Sequence, residues 1–159
     1  ARAKLPLIDD VEVNLYVESL GRRIVATLGP QPFTYEFAVV RDGRVNAFAV
    51  PGGFVYLHAG LITAARSEDE IAGVLGHEIA HVHAHHIARQ QEATKVVNYA
   101  ALLGMLLAVV QPALGAGALA AQAAAQLQYR REFEQEADYL GARYMQKAGF
   151  ESIGMLDFF

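Results

Sequence analysis

The sequence predicts an α+β domain, predominantly helical, with a small three-stranded or slightly larger β-sheet placed beside one helix. Three observations carry this reading. Long stretches repeat apolar residues at helical spacing, with capping residues ahead of them and glycine behind. Between the first two such stretches stand short runs rich in β-branched and aromatic residues, set apart by turn dipeptides. At 159 residues the chain is one ordinary domain, 1–159, large enough to bury a core without staples.

Asp9-Asp10 caps a first helix running to about Leu28, where Val13, Val17, Leu20, Ile24 and Leu28 form an apolar stripe and Gly29-Pro30 stops it. This is a packing helix without chemistry. Three strand-like runs follow, Thr34 to Val40, Val45 to Val50 and Phe54 to His58, separated by Asp42-Gly43 and Pro51-Gly52-Gly53. Tyr35, Phe37 and Val39 alternate with Thr34, Glu36 and Ala38, as a sheet with one buried face requires, and a β-meander is expected.

Ser67-Glu68-Asp69-Glu70 reads as a capping box, followed by Ile71, Val74, Leu75, Ile79 and Val82 at helical spacing. Inside that helix lies Gly76-His77-Glu78-Ile79-Ala80-His81. Residues four apart on a helix lie about 40° apart around the axis and about 6 Å along it, so both imidazoles can face one metal ion. This is the HExxH geometry of a zinc site. Glu78 is turned too far to bind the same ion, yet its carboxylate can reach a water beside it and take a proton. The plainer alternative is two histidines on a solvated helix face. Histidines continue at His83, His85 and His86; a second His81/His85 pair has the right spacing but lacks the glutamate base.

From Val96 to Tyr129 no residue is charged. Val96 to Val110 is apolar on all sides, and Gln111-Pro112 and Gly115-Ala116-Gly117 then break it too soon for a span of about 20 apolar residues. Buried core helices are the plainest reading; an interfacial hairpin touching lipid and a cover over the cleft are the alternatives. The stretch from Tyr129 through Tyr144 to Gly149 reads as one long helix carrying Glu134 and Asp138 on a shared face. A zinc site with two histidines commonly takes a carboxylate as third ligand, and Glu134 is the candidate. Asp138, one turn on, can accept the outer N–H of a ligating histidine. A charged face balanced by Arg130, Arg131 and Arg143 is the bland alternative, and spacing alone does not choose among the glutamates.

Absence of cysteine removes thiolate ligands and cysteine nucleophiles, and a net charge of −4 argues against nucleic acid as a partner. The chain starts at Ala1 and ends on the apolar Asp157-Phe158-Phe159, so it is expected to be a fragment of a longer protein with a further C-terminal module. For the same reason, absence of a targeting segment carries no information.

Together, Val74-Leu75-Gly76-His77-Glu78-Ile79-Ala80-His81-Val82 and the later Arg131-Glu132-Phe133-Glu134-Gln135-Glu136-Ala137-Asp138 resemble the zinc metalloendopeptidase family that includes HtpX, BepA and the CAAX prenyl endopeptidases. Asn46-Ala47-Phe48-Ala49-Val50-Pro51-Gly52-Gly53 is similar to the strand and turn ahead of the zinc helix in that family. The resemblance implies a zincin-like fold and one zinc ion per chain, with His77, His81 and Glu134 as ligands, Glu78 as general base and Asp138 behind a ligand histidine. It also implies that Asn46 and Ala47 border the substrate cleft, where composition alone favours a plain structural sheet. The branch it looks most like is soluble, of the bacterial envelope and periplasmic, with polypeptide substrates and often a C-terminal helical repeat module.

The expected function is therefore zinc-dependent endopeptidase action on unfolded or misassembled envelope proteins. A zinc-stabilised, chaperone-like binder with little proteolysis is the alternative from another class. A third reading makes Val96 to Val110 a membrane-surface anchor. His58, Tyr144 or a residue beyond Phe159 is expected to help stabilise the oxyanion. Substrate and oligomeric state are not written in these motifs.

Overall fold

Asp10 caps the first helix as its position predicts, its carboxylate accepting from the backbone N–H of Glu12 and Val13 at 3.0 and 3.2 Å. In this computed structural model, which describes residues 5–109, 112–152 and 154, helix α1 spans Val11–Val25 and buries Val17, Leu20 and Ile24. Three strands follow, β1 Glu36–Val40, β2 Ala47–Val50 and β3 Phe54–His58, and then the short helix α2 Ala59–Ala64. Three longer helices complete the described residues: α3 Glu68–His83, α4 His86–Leu107 and α5 Pro112–Lys147.

The chain forms two compact units. The first comprises the chain up to Ala84 together with the chain from Ala137 onward; the second is His85–Glu136.

In the first unit the sheet order is β1-β3-β2, with β1 parallel to β3 and β2 antiparallel to it. The expected meander is thus corrected. Gly52 and Gly53 take φ of 97° and 90°, which L side chains resist, and so close a tight β2–β3 hairpin. The β1–β2 link turns away instead, with Asp42 accepting from both the backbone and the guanidinium of Arg44. Strand β3 then takes the centre, paired along both edges and buried from Val55 to His58.

The single buried face is corrected as well. Phe37 and Val39 enter the main core while Ala38 and Val40 enter a second apolar cluster with Tyr56, backed by Leu5, Leu7 and Phe48. Alternation did sort the side chains by face, but the N-terminal segment covers the far side, where Leu7 bridges to Val40. The main core joins α1, the sheet and α3, drawing in Ile71, Val74, Leu75, Ile79 and Val82 as their spacing predicts.

In the second unit α4 and the preceding part of α5 form a hairpin. Gly104 lies against Ala118, so close that a Cβ added at 104 would stand 2.3 Å from the alanine methyl, and Gln122 donates to Asn98 at 2.7 Å. Gly115 and Gly117 fall inside α5, correcting the expected break there. A glycine costs a helix about 1 kcal/mol, which the flanking alanine-rich sequence absorbs. The expected break at Gln111 and the apolar finish at Asp157-Phe158-Phe159 lie outside the described residues, as does Val110.

Burial of the uncharged stretch is also overturned. Val96, Tyr99, Leu102, Leu103, Leu106 and Val109 are all exposed, and only Ala101 is buried on this arm among the described residues. Among the described residues no helix is long and apolar enough to cross a membrane.

Candidate metal centre

Helix α3 begins with Ser67, whose hydroxyl accepts from the N–H of Glu70 at 3.3 Å. The reciprocal half of the box is displaced by one residue: the Glu70 carboxylate accepts from the N–H of Arg66 at 2.8 Å and from its guanidinium at 3.1 Å. This fixes the start of the helix. Its apolar stripe then sinks into the core, and His77 is carried in with it while Glu78 and His81 stay half-buried.

His77 and His81 present their Nε2 atoms to each other at 2.9 Å, with ring centroids 4.6 Å apart. Two imidazoles on one zinc at about 2.0–2.1 Å in a tetrahedral arrangement hold their nitrogens about 3.3–3.4 Å apart. A few tenths of an ångström of ring tilt therefore admits the ion. The opposite nitrogen of His77 is already engaged: Nδ1 lies 2.8 Å from the Asp138 carboxylate. A carboxylate there holds the N–H on Nδ1 and leaves Nε2 with its lone pair toward a metal.

Asp138 reaches His77 because α3 and this part of α5 touch backbone to backbone. A Cβ added at Gly141 would stand 2.8 Å from the His77 nitrogen, and one at Gly76 would stand 3.0 Å from the Gly141 carbonyl oxygen. Two glycines thus set the spacing between the histidine and its carboxylate. Sequence reasoning missed this pair; a glycine inside a strong helical run, three residues after an acid, was the available signal.

Glu134, the third ligand that the resemblance implies, lies on α5 in the second unit, one turn before Asp138. The neighbouring glutamates have partners within the second unit. Glu136 accepts from Arg89 at 2.8 Å and approaches His86 Nε2 at 3.3 Å, and Glu132 accepts from Gln128 at 2.8 Å. The Arg89 hydrogen bond holds the Glu136 carboxyl below its usual range, while burial pushes the pKa of His86, stacked on Phe133, downward.

The other residues singled out in the sequence are placed as follows. Ala47 opens β2, an edge strand whose described pairing is with β3 alone, and the Asn46 carbonyl accepts from the His58 N–H at 3.0 Å. Residue His58 is buried with Nδ1 3.7 Å from Asp42, and Tyr144 is buried with its ring edge-on to His83. His85 takes φ of 55° and lies outside α3, so the helical i, i+4 spacing that a His81/His85 pair assumes is not present.

A buried helix offering two imidazoles one turn apart, in a mostly helical fold with a small mixed sheet, defines the chain as a metallopeptidase-type α+β domain. The chain belongs to peptidase family M48, whose model matches residues 12–159. It is 41% identical to the putative beta-barrel assembly-enhancing protease of Vibrio cholerae over 166 aligned positions, covering 99% of this chain and 34% of that protein. It is 34% identical to the beta-barrel assembly-enhancing protease of Escherichia coli K12, again over 99% of this chain and 34% of the relative. The mitochondrial metalloendopeptidase OMA1 of Schizosaccharomyces pombe is 35% identical over 87% of this chain and 40% of that protein. The chain thus spans about a third of the length of the first two relatives.

Proposed function

We propose that this chain is the catalytic part of a zinc endopeptidase that hydrolyses peptide bonds in unfolded or misassembled proteins of the bacterial cell envelope, acting in the periplasm. The observation that carries the reading is the pair of imidazoles, His77 and His81 Nε2 at 2.9 Å, with the Asp138 carboxylate behind His77 at 2.8 Å. His77, His81 and Glu134 would hold one zinc ion. Bound there, the metal supplies Lewis acidity, which makes water acidic near neutrality and polarises a carbonyl.

The chain's own residues do the rest. Glu78, beside the first ligand on α3, accepts the proton of the attacking water on its carboxylate and returns it to the leaving amine nitrogen. Asp138 holds the N–H of His77 at Nδ1 and so fixes the ring. The edge of β2 from Asn46 and Ala47 onward offers backbone N–H and C=O groups to an extended polypeptide, which supports recognition by strand addition and hence broad specificity. Names of relatives that refer to β-barrel assembly support the envelope as the setting.

The test is cleavage of a disordered protein such as casein by the zinc-loaded chain and by Glu78→Gln, with metal content measured in both. The expected result is one zinc in each and turnover lower in the variant by on the order of 10²–10⁴-fold. Cleavage that survives the substitution would remove Glu78 from the mechanism. No cleavage by either, with zinc in both, would favour the chaperone-like alternative, to which the exposed apolar surface of α4 lends support.

A further inference from the structure

Between Lys95 on α4 and Arg130 on α5 no residue is charged, and the apolar side chains of the α4 arm point outward. Tyr99 is 70% exposed, Leu103 63% and Val109 85%, with Leu102 and Leu106 exposed between them. At about 100° per residue, the exposed side chains of Val96, Tyr99, Leu102, Leu103, Met105 and Leu106 spread over about half the helix circumference. The surface continues onto α5 at Leu119 and Leu127. A protein groove takes a stripe of about 100° from a helix. An apolar surface covering half the circumference exceeds such a stripe and suits a surrounding medium instead.

The border of this surface has the composition of a lipid–water boundary. Lys95 and Tyr99 stand on one arm and Tyr129, Arg130 and Arg131 on the other, all exposed. Tyrosines favour the headgroup level, and long basic side chains reach anionic phosphates while their stems stay in apolar surroundings. Glu92, which accepts from Lys95 at 2.7 Å, and Glu132 share this level, so three basic groups face two acidic ones. From Lys95 to Leu107 the arm measures about 18 Å, enough to enter one leaflet and short of a hydrocarbon core of about 30 Å.

We propose that the α4 arm from Lys95 to Leu106 is a membrane anchor that inserts Leu102, Leu103 and Leu106 into one leaflet of a bilayer, with Tyr99 at the headgroup level and Lys95, Arg130 and Arg131 against anionic headgroups. The anchor stands independently of the zinc reading, since it uses none of its residues.

The test is flotation of the chain with phosphatidylethanolamine/phosphatidylglycerol vesicles, for the parent, Leu103→Glu/Leu106→Glu, and Leu15→Glu, whose site is an exposed leucine on α1. The parent and Leu15→Glu are expected to float, and the double variant to lose binding by at least about tenfold. Because the chain has no tryptophan, Leu106→Trp gives a single reporter, expected to shift to the blue with vesicles and to be quenched by lipids brominated in the acyl chain. Three results overturn the proposal. The parent fails to float; or floating is abolished by about 0.5 M salt without any blue shift, which is adsorption by the basic border alone; or the double variant merely converts a dimer to a monomer, which assigns the surface to a second copy of the chain.

Discussion

Helices α3 and α4 are neighbours in the chain, both rich in apolar residues, and their fates are opposite. In α3 the apolar positions recur on one side, and Leu75 and Ile79 are fully buried. In α4 the apolar residues of positions 96 to 106 occupy all sides, and the packing against α5 passes through the small residues Gly104 and Ala118, which hide little side-chain surface. Apolar composition therefore did not decide burial. A one-sided stripe with a partner did, and that rigidity is what a pair of imidazoles needs to hold a fixed separation.

Mutations can sharpen this contrast. The largest difference is expected between Leu75→Ala, which should lower unfolding stability by about 2–5 kcal/mol, and Leu103→Ala, which should stay within about 0.5 kcal/mol. Denaturant titration of the metal-free chain measures both, and equal losses would erase the distinction between the helices. A glycine pair repeats the comparison on α5. Gly141→Ala drives a methyl against the His77 backbone and should cost about 1–3 kcal/mol, whereas Gly117→Ala meets nothing within 4 Å and should be neutral or stabilising by up to about 1 kcal/mol.

Asp138→Asn probes the support of the histidine without touching the core. Zinc affinity, measured by competition with a chelator, should fall about 10–100-fold with the melting temperature of the metal-free chain little changed. The smallest effect is assigned to Asp42→Asn. Hydrogen bonds from the Arg44 side chain and backbone hold the Asp42 carboxyl well below the usual carboxylate range. A carboxyl depressed in the folded state stabilises above its unfolded pKa of about 3.9, and that contribution is lost as pH falls below this value toward the folded one. Thermal melts from neutral pH down to about pH 3 should fall less steeply for the variant than for the parent.

The pairing of the two imidazoles was legible because it is local. His77 and His81 follow from spacing within five positions, Ser67 and Asp10 cap where predicted, and Ile71 through Val82 bury as their period demands. The helix from Tyr129 was read correctly but begins much earlier, at Pro112, because alanine-rich sequence carries a helix across its glycines. Strand positions were legible, their order was not. Residues Thr34 to Val40 look the same whether β2 or β3 lies beside them.

By itself, then, the sequence determined what one or two turns of backbone can encode: the caps, the helical stripes, the glycine hairpin at Gly52 and Gly53, and the paired imidazoles of α3. The tertiary structure decided what depends on residues far apart in the chain. It set β3 between β1 and β2, brought Asp138 to His77 through the Gly76–Gly141 approach, engaged Glu136 with Arg89, and left the apolar arm of α4 exposed. The reason is physical: capping and periodicity act over a few residues, while strand order, burial and the partners of a carboxylate depend on which distant surface arrives to satisfy them.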